Sequence, residues 1–177
     1  MGLSQTVLGM SVASFTLLHV LISLVGILAG FVAMAKLLSS KGLLMSKPLR
    51  GWTALFLATT ILTSATGFLF PVEKLLPSHV VGLLSLVLLA MACFALYGRN
   101  AAGVWRPVYV VTAMLSLYLN VFVLLIQGFL KVGVLKALAP TQTELPFVAV
   151  QGVVLIAFGI ATIWAAIRFR PVKLQSV

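Results

Sequence analysis

Long apolar stretches alternate with short, mostly basic connections along this chain. Five stretches reach at least about 18 residues, the length that a helix needs to cross the hydrocarbon core of a bilayer. They lack the two-residue alternation that marks the strands of a membrane β-barrel. The pattern therefore predicts an all-α integral membrane protein, a five-transmembrane-helix bundle that forms one domain over residues 1–177. The predicted helices span approximately residues 14–35, 52–70, 78–97, 108–130 and 147–167.

The composition agrees with this class of protein. Apolar residues make up 62% of the chain and charged residues 8%, whereas a soluble domain has about a quarter of its residues charged. The connections between the predicted helices are too short to form a separate soluble domain. The single cysteine, Cys93, can form neither an internal disulfide nor a CxxC redox centre.

The basic residues are distributed unequally between the two ends of the predicted bundle. The formal net charge is +10, which on its own would fit a nucleic-acid-binding protein. If the chain spans five times, however, nine of the twelve Lys and Arg residues fall on one side, and the positive-inside rule makes that side cytoplasmic. We therefore predict an external amino terminus, a cytoplasmic carboxyl terminus, membrane lipids as partners and no nucleic acid.

Strongly polar side chains of the predicted helices are concentrated in the outer half of the membrane. This follows from counting about 1.5 Å per residue outward from the basic residues. Lipid cannot satisfy amides, hydroxyls or imidazoles, so these side chains should face the bundle interior. We predict that they line a polar pocket in the outer leaflet. Its predicted residues are His19, Thr63, Thr66, Asn120, Gln127 and Gln151.

Helical spacing places several of these residues on shared faces. His19, Ser23, Gly26 and Gly30 lie on one face of the first helix, which contains a GxxxG pattern that allows close helix approach. Comparable faces are predicted on two other helices: Thr60, Thr63, Ser64 and Gly67 on the second, and Tyr109, Ser116, Asn120 and Gln127 on the fourth. Such faces serve helix packing as readily as ligand binding, so both interpretations stay open.

Three functional hypotheses are compatible with this pattern. The favoured one is a non-enzymatic binding or accessory subunit, which holds a lipid-like ligand or docks onto a larger membrane complex or a second copy of itself. The second is a b-type haem electron-transfer protein, with His19 and His79 as axial ligands. The third is an enzyme acting on a quinone or a lipid. The sequence disfavours the third, because no carboxylate lies inside a predicted helix to assist acid–base chemistry.

Four segments have a distinctive sequence. They are Thr66-Gly67-Phe68-Leu69-Phe70-Pro71, Leu76-Pro77-Ser78-His79-Val80-Val81-Gly82, Tyr118-Leu119-Asn120-Val121-Phe122 and residues 138–147. They resemble a group of small bacterial multi-spanning membrane proteins of unassigned function. The resemblance implies a bacterial inner membrane and the five-helix layout, and it implies no activity, substrate or cofactor. The last of these segments, the polar connection before the last helix, is unusually specific for a loop and could cap the predicted pocket or contact a partner.

Overall fold

The computed structural model describes residues 6–39, 47–71 and 77–168 and is built almost entirely of α-helices. A two-stranded antiparallel hairpin, β1 (Thr6–Val7) and β2 (Met10–Ser11), precedes the first helix. Six α-helices follow within these ranges: α1 (Val12–Ser39), α2 (Lys47–Gly67), α3 (Pro77–Cys93), α4 (Trp105–Lys131), α5 (Gly133–Leu138) and α6 (Leu145–Arg168). The expected all-α class is confirmed.

Four helical segments within the described residues are long and apolar enough to cross a membrane. They are Val12–Ser39, Ser78–Gly98, Trp105–Lys131 and Leu145–Ile167. The remaining long helix, α2, contains five threonines and is not among them. Four long apolar helices are the signature of a membrane protein.

Neighbouring helices run antiparallel and surround one core. The helices α1, α2, α3 and α4 follow one another around the bundle, and α4 also contacts α1, which closes the ring. The last helix, α6, packs on α4 from outside and is the least buried of the four long apolar helices. Pairs such as Phe129–Phe147 and Tyr118–Phe158 fix the antiparallel order of α4 and α6. We call the end of the bundle where α1 begins the His19 end, and the opposite end, where α2 begins, the Arg50 end.

Two glycines allow α1 to lie directly against its neighbours. A Cβ added at Gly26 would lie 2.9 Å from Thr59 Oγ1, and one at Gly30 would lie 2.5 Å from Leu117 Cδ1 and 2.9 Å from Phe56 Cδ2. Phe56 and Leu117 are themselves almost completely buried, so they have little room to move. The close approach that the GxxxG pattern predicts is therefore confirmed.

The connection between α3 and α4 begins with a wide turn. Residues Phe94–Gly98 continue α3 as a single π-helical turn, in which the Arg99 amide donates to Phe94 O at 3.0 Å. Asn100 and Ala101 then adopt left-handed backbone conformations, and the Ala101 amide donates to Ala95 O at 2.8 Å. This bond satisfies a terminal carbonyl in the way that a helix-ending αL motif does.

The observed helix ends differ from the predicted ones by several residues. The second helix begins at Lys47 and ends at Gly67, whereas 52–70 was predicted, because the chain turns after Gly67 through a Phe68 N–H bond to Ala65 O. The fourth helix begins at Trp105, three residues before the predicted start, since Pro107 is tolerated in a first turn. The hairpin, the π-helical turn and α5 were not predicted at all.

Candidate functional site

A hydrogen bond between side chains joins α1 to α2 at the His19 end. His19 Nδ1 lies 2.8 Å from Thr66 Oγ1, and the Thr66 hydroxyl lies 2.7 Å from Leu62 O, one turn earlier. Because the Thr66 hydrogen is directed to that carbonyl, its oxygen accepts a hydrogen bond from His19. This assignment puts the imidazole proton on Nδ1 and leaves Nε2 as an acceptor.

The His19 ring lies among groups of the α2 end. It contacts Phe70 edge-on, with ring centroids 5.2 Å apart, and Phe70 also contacts the buried Phe15 at 5.0 Å. A Cβ added at Gly67 would lie 3.9 Å from His19 Cε1, an ordinary contact distance. The imidazole is therefore held by one hydrogen bond and one aromatic contact, and it is half-buried rather than enclosed.

Four buried side-chain atoms have no hydrogen-bond partner among the described residues. Two belong to hydroxyls of α2, and two belong to amides of α4 and α6. An unsatisfied buried polar atom costs about 1–3 kcal/mol, and hydrocarbon supplies no substitute partner. A ligand or an ordered water could supply the missing partners. The four atoms are Thr60 Oγ1, Thr63 Oγ1, Asn120 Nδ2 and Gln151 Oε1.

The two buried amides differ in how far the protein satisfies them. Asn120 is 9% exposed, and its Nδ2 has no acceptor among the described residues. Gln151 on α6 donates from Nε2 to the Phe122 carbonyl of α4 at 3.4 Å, a long bond, while its Oε1 lacks a donor. Asn120 therefore offers a donor, and Gln151 offers an acceptor, to any molecule that reaches them.

The structure shows one direct side-chain contact between predicted pocket residues. His19 is hydrogen-bonded to Thr66, and Thr66 Oγ1 also lies 3.2 Å from the carbonyl oxygen of Thr63. Gln151 is linked to α4 beside the Asn120 turn. Gln127 is half-buried near the end of α4. Whether all of these residues line one pocket stays a prediction.

The loop before α6 folds back over the end of α4. Gln142 adopts a left-handed backbone conformation, with φ of 61°, and donates from Nε2 to Ile126 O at 3.1 Å. The Glu144 carboxylate accepts from Thr141 N at 3.0 Å, from Thr141 Oγ1 at 2.9 Å and from Thr143 N at 3.1 Å. Desolvation raises the pKa of Glu144, but these hydrogen bonds outweigh it and hold that pKa below its ordinary value.

The second histidine, His79, lies in a different environment from that of His19. His79 on α3 is 9% exposed, and its ring lies 5.5 Å from that of Phe68, which also faces Gly82 one turn later. Within the described residues, α1 and α3 make at most marginal contact with each other. The ring of His19 lies against Phe70, whereas that of His79 lies against Phe68. The structure thus adds no support to the haem hypothesis, which stays a prediction.

Thr60 was not among the predicted pocket residues. Thr60 is 1% exposed and faces Gly26 of α1, where an added Cβ would lie 3.2 Å from Thr60 Oγ1. The face predicted on the second helix already contained Thr60, so its spacing to Thr63 was the available signal. A small cavity of about 20 Å³ lies further along the same interface, between Gly30, Tyr109 and Met114. It has room for about one water molecule.

Comparison with known proteins adds no relative. No family model, no curated protein and no solved structure matches this chain.

Proposed function

We propose that this protein spans the membrane five times, with its amino terminus outside and its carboxyl terminus in the cytoplasm. The support for α2 as a fifth span is its packing, since it forms the most extensive helix pair of the bundle with α1 and also packs on α3. Its 21 residues give a length of about 30 Å, which matches the hydrocarbon core. Two of its threonines, Thr59 and Thr66, donate to carbonyls of the same helix, which lowers the cost of placing them in a membrane.

The topology has a direct test. In a Cys93→Ser background, a Ser4→Cys variant should react with an impermeant maleimide from outside, and a Ser176→Cys variant should react only after the membrane is opened. Labelling of the Ser4→Cys variant only from the cytoplasmic side would overturn the proposed orientation. We also propose the bacterial inner membrane as its location, as the resemblance described above implies, and fractionation of the expressing cells would test that location.

Within this topology, we propose a non-enzymatic binding role for the buried polar atoms of the bundle. The observation that carries the proposal is Asn120 Nδ2, a donor that is nine-tenths buried and has no acceptor among the described residues. A lipid-like molecule that carries a carbonyl or ester oxygen on an apolar body would supply that acceptor. His19 Nε2 would accept from a hydroxyl of such a molecule, because Nδ1 is already bonded to Thr66.

Lipid analysis of the purified protein tests this role. The protein is extracted in mild detergent, and co-purified lipids are measured by mass spectrometry for the natural chain and for Asn120→Leu. We expect Asn120→Leu to lose a specific lipid about tenfold or more, because one buried hydrogen bond and its desolvated partner are removed. The matched control is Ser116→Ala, one turn earlier and fully buried, whose hydroxyl already donates to Thr112 O at 2.8 Å. An unchanged lipid profile in Asn120→Leu would refute the binding role.

A docking role for α6 is the second candidate. Gly152 and Gly159, two turns apart, have no side chain or foreign backbone within 4 Å of an added Cβ, so this face is open for close approach by another helix. We expect Gly152→Leu to dissociate a complex that survives native electrophoresis. Val153→Leu, at an exposed apolar position that points about 100° away from the glycine face, should leave it intact. A band that is unchanged in both variants would remove this candidate.

A further inference from the structure

A second cavity lies at the Arg50 end of the bundle, away from the polar atoms discussed so far. Its volume is about 510 Å³, and it lies between the first two turns of α2 and the π-helical turn that ends α3. This volume falls within the range of about 300–1,000 Å³ that is usual for small-molecule sites. It far exceeds the space that one ordered water needs.

The cavity combines one charge, several neutral polar groups and an apolar wall. The charge is that of Arg50, and the polar groups are those of Thr53, Tyr97 and Asn100. Leu96 and Ala54 contribute apolar surface to the same space. The groups facing the cavity are therefore those of a site for a molecule with an anionic head and an apolar body.

Two arginines near the connection between α3 and α4 are held there by contacts of their own. The Arg99 guanidinium lies 5.1 Å from the Trp105 ring centroid and 5.8 Å from that of Phe94, which is a cation–π arrangement. Arg106 donates from Nε to Ala101 O at 3.4 Å. These contacts direct both guanidinium groups towards the connection between α3 and α4, and neither residue lines the cavity.

The protein supplies very little negative charge that could neutralise Arg50. The chain contains two acidic side chains, Glu73 and Glu144. Glu144 is bonded within the loop before α6, at the His19 end, and Glu73 lies outside the described residues. Among the described residues, therefore, no carboxylate lines the cavity beside Arg50. Arg50 is exposed, so its charge is accessible to an external anion.

The local backbone gives the cavity its shape. The π-helical turn displaces Tyr97 from the position that a continuous α-helix would give it, and Asn100 follows in a left-handed conformation with φ of 52°. Single π-helical turns and residues in sparsely populated backbone regions occur frequently at functional sites. Thr53 is 4% exposed, so the inner part of the cavity reaches into the helix interface.

We infer that this cavity binds the oxyanion head of an amphipathic molecule, a phosphate or a carboxylate, with Arg50 as its charge partner and Tyr97 and Asn100 as hydrogen-bond donors. The apolar part of the molecule lies against Leu96 and Ala54. A phosphate head can come from an anionic phospholipid or from a free phosphate compound. The site is independent of Asn120 and of the proposed lipid binding at the His19 end.

Binding measurements with three defined probes test the inference. The probes are dioctanoyl phosphatidylglycerol, dioctanoyl phosphatidylcholine and inorganic phosphate, each titrated into the detergent-purified full chain. We expect phosphatidylglycerol to bind more tightly than phosphatidylcholine. Arg50→Gln should weaken phosphatidylglycerol binding by about tenfold or more, which is the usual loss for a charge-assisted hydrogen bond. Binding of inorganic phosphate as tight as that of phosphatidylglycerol would indicate a free phosphate compound as the source of the head. Much tighter binding of phosphatidylglycerol would indicate a phospholipid, because its apolar body then contributes to binding.

Two further variants keep the test decisive if Arg50→Gln does not fold. Tyr97→Phe removes one donor and should weaken phosphatidylglycerol binding by about threefold to tenfold. Ala54→Trp places a large side chain at an exposed position of the cavity wall and should block the lipid while leaving the charge of Arg50 in place.

The control for charge alone is Arg99→Gln, at the same end of the bundle but held on Trp105. We expect it to bind phosphatidylglycerol as the natural chain does. Equal weakening in Arg50→Gln and Arg99→Gln would show a diffuse basic surface and would overturn the inference. Unchanged binding in Arg50→Gln, or in both Tyr97→Phe and Ala54→Trp, would overturn it as well.

Discussion

His19 Nδ1 and Thr66 Oγ1 lie 2.8 Å apart and form a polar link between side chains of α1 and α2. The two residues are 47 positions apart in the sequence. His19 lies near the start of α1 and Thr66 near the end of α2, so the bond is consistent with antiparallel pairing of the two helices. Further along the same interface, Gly26 faces Thr59 and Thr60, and Gly30 faces Phe56. One end of the helix pair is therefore joined by a hydrogen bond, and the middle is joined by close packing.

The first prediction concerns the strength of this link. A double-mutant cycle with His19→Leu and Thr66→Val should give a coupling energy of about 0.6 kcal/mol, because hydrogen bonds between membrane helices are weak on average. Reversible unfolding in mixed micelles would measure it. The control pairs His19→Leu with Thr16→Val, since the Thr16 hydroxyl bonds to Val12 O of its own helix. A coupling of zero in the first cycle would mean that the hydrogen bond contributes nothing to pairing.

The second prediction concerns Gly30. Gly30→Ala places a methyl group against Leu117 and Phe56, which cannot withdraw from a filled core, and should destabilise the protein by about 1–3 kcal/mol. The measurement is the same unfolding transition. Gly159→Ala on α6 is the matched control, because an added Cβ there meets nothing within 4 Å. It should be neutral or stabilising by up to about 1 kcal/mol, the gain in helix propensity. Equal effects at the two sites would contradict the role of Gly30 in close packing.

The sequence predicted those features that depend on apolar length and on helical spacing. The four long apolar helices and the glycine face of α1 are such features. It did not predict the π-helical turn at Phe94–Gly98, because that turn arises from how α3 meets α4 and has no local composition of its own. The short helix α5 was not predicted either. It is separated from α4 by the extended backbone of Val132, with ψ of 115°, and the mixed polar and apolar residues around Val132 do not mark a helix end.

The candidate site was predicted only in part, because its details also depend on how the helices meet. Counting residues along helices gives the height of a side chain, and spacing gives its face, so His19 and Thr66 could be placed near one another. Neither the height nor the face of a side chain tells how one helix is rotated relative to another. For that reason the orphaned atoms of Thr60 and Asn120 could not be distinguished from satisfied ones such as Ser116 Oγ. The cavity beside Arg50 depends on the irregular backbone at Asn100, which no periodic pattern describes.

The third prediction is a pH dependence in the loop before α6. The pKa of Glu144 is lower in the folded loop than in an unfolded chain, because Thr141 and Thr143 donate to its carboxylate. The ionised carboxylate therefore stabilises the loop at pH above its unfolded pKa, and this contribution is lost as the pH falls through the folded pKa. Hydrogen exchange of the Thr141 and Thr143 amides should accelerate at acidic pH relative to the intrinsic exchange rate.

The variant Glu144→Gln serves as the control for that measurement. Its neutral amide is a weaker acceptor, so the two threonine amides should exchange faster at neutral pH and should show no further loss of protection on acidification. Gln142, whose side chain bonds to Ile126 O, contains no titrating group and should keep that contact in both proteins. A pH dependence that persists in Glu144→Gln would assign the effect to another group.

The last prediction separates a binding role of Asn120 from a structural one. In the lipid-free protein, Asn120 Nδ2 has no acceptor among the described residues, so Asn120→Leu removes an unsatisfied donor and should raise the free energy of unfolding by about 1–3 kcal/mol. When the natural lipid extract is added back, the natural chain should gain stability, and Asn120→Leu should gain less, because binding stabilises the folded state by mass action. Ser116→Ala should instead lose stability without lipid, since its satisfied hydroxyl is removed, and should respond to lipid as the natural chain does. If Asn120→Leu is destabilised without lipid, the amide has an internal partner, and the residue serves helix packing rather than binding.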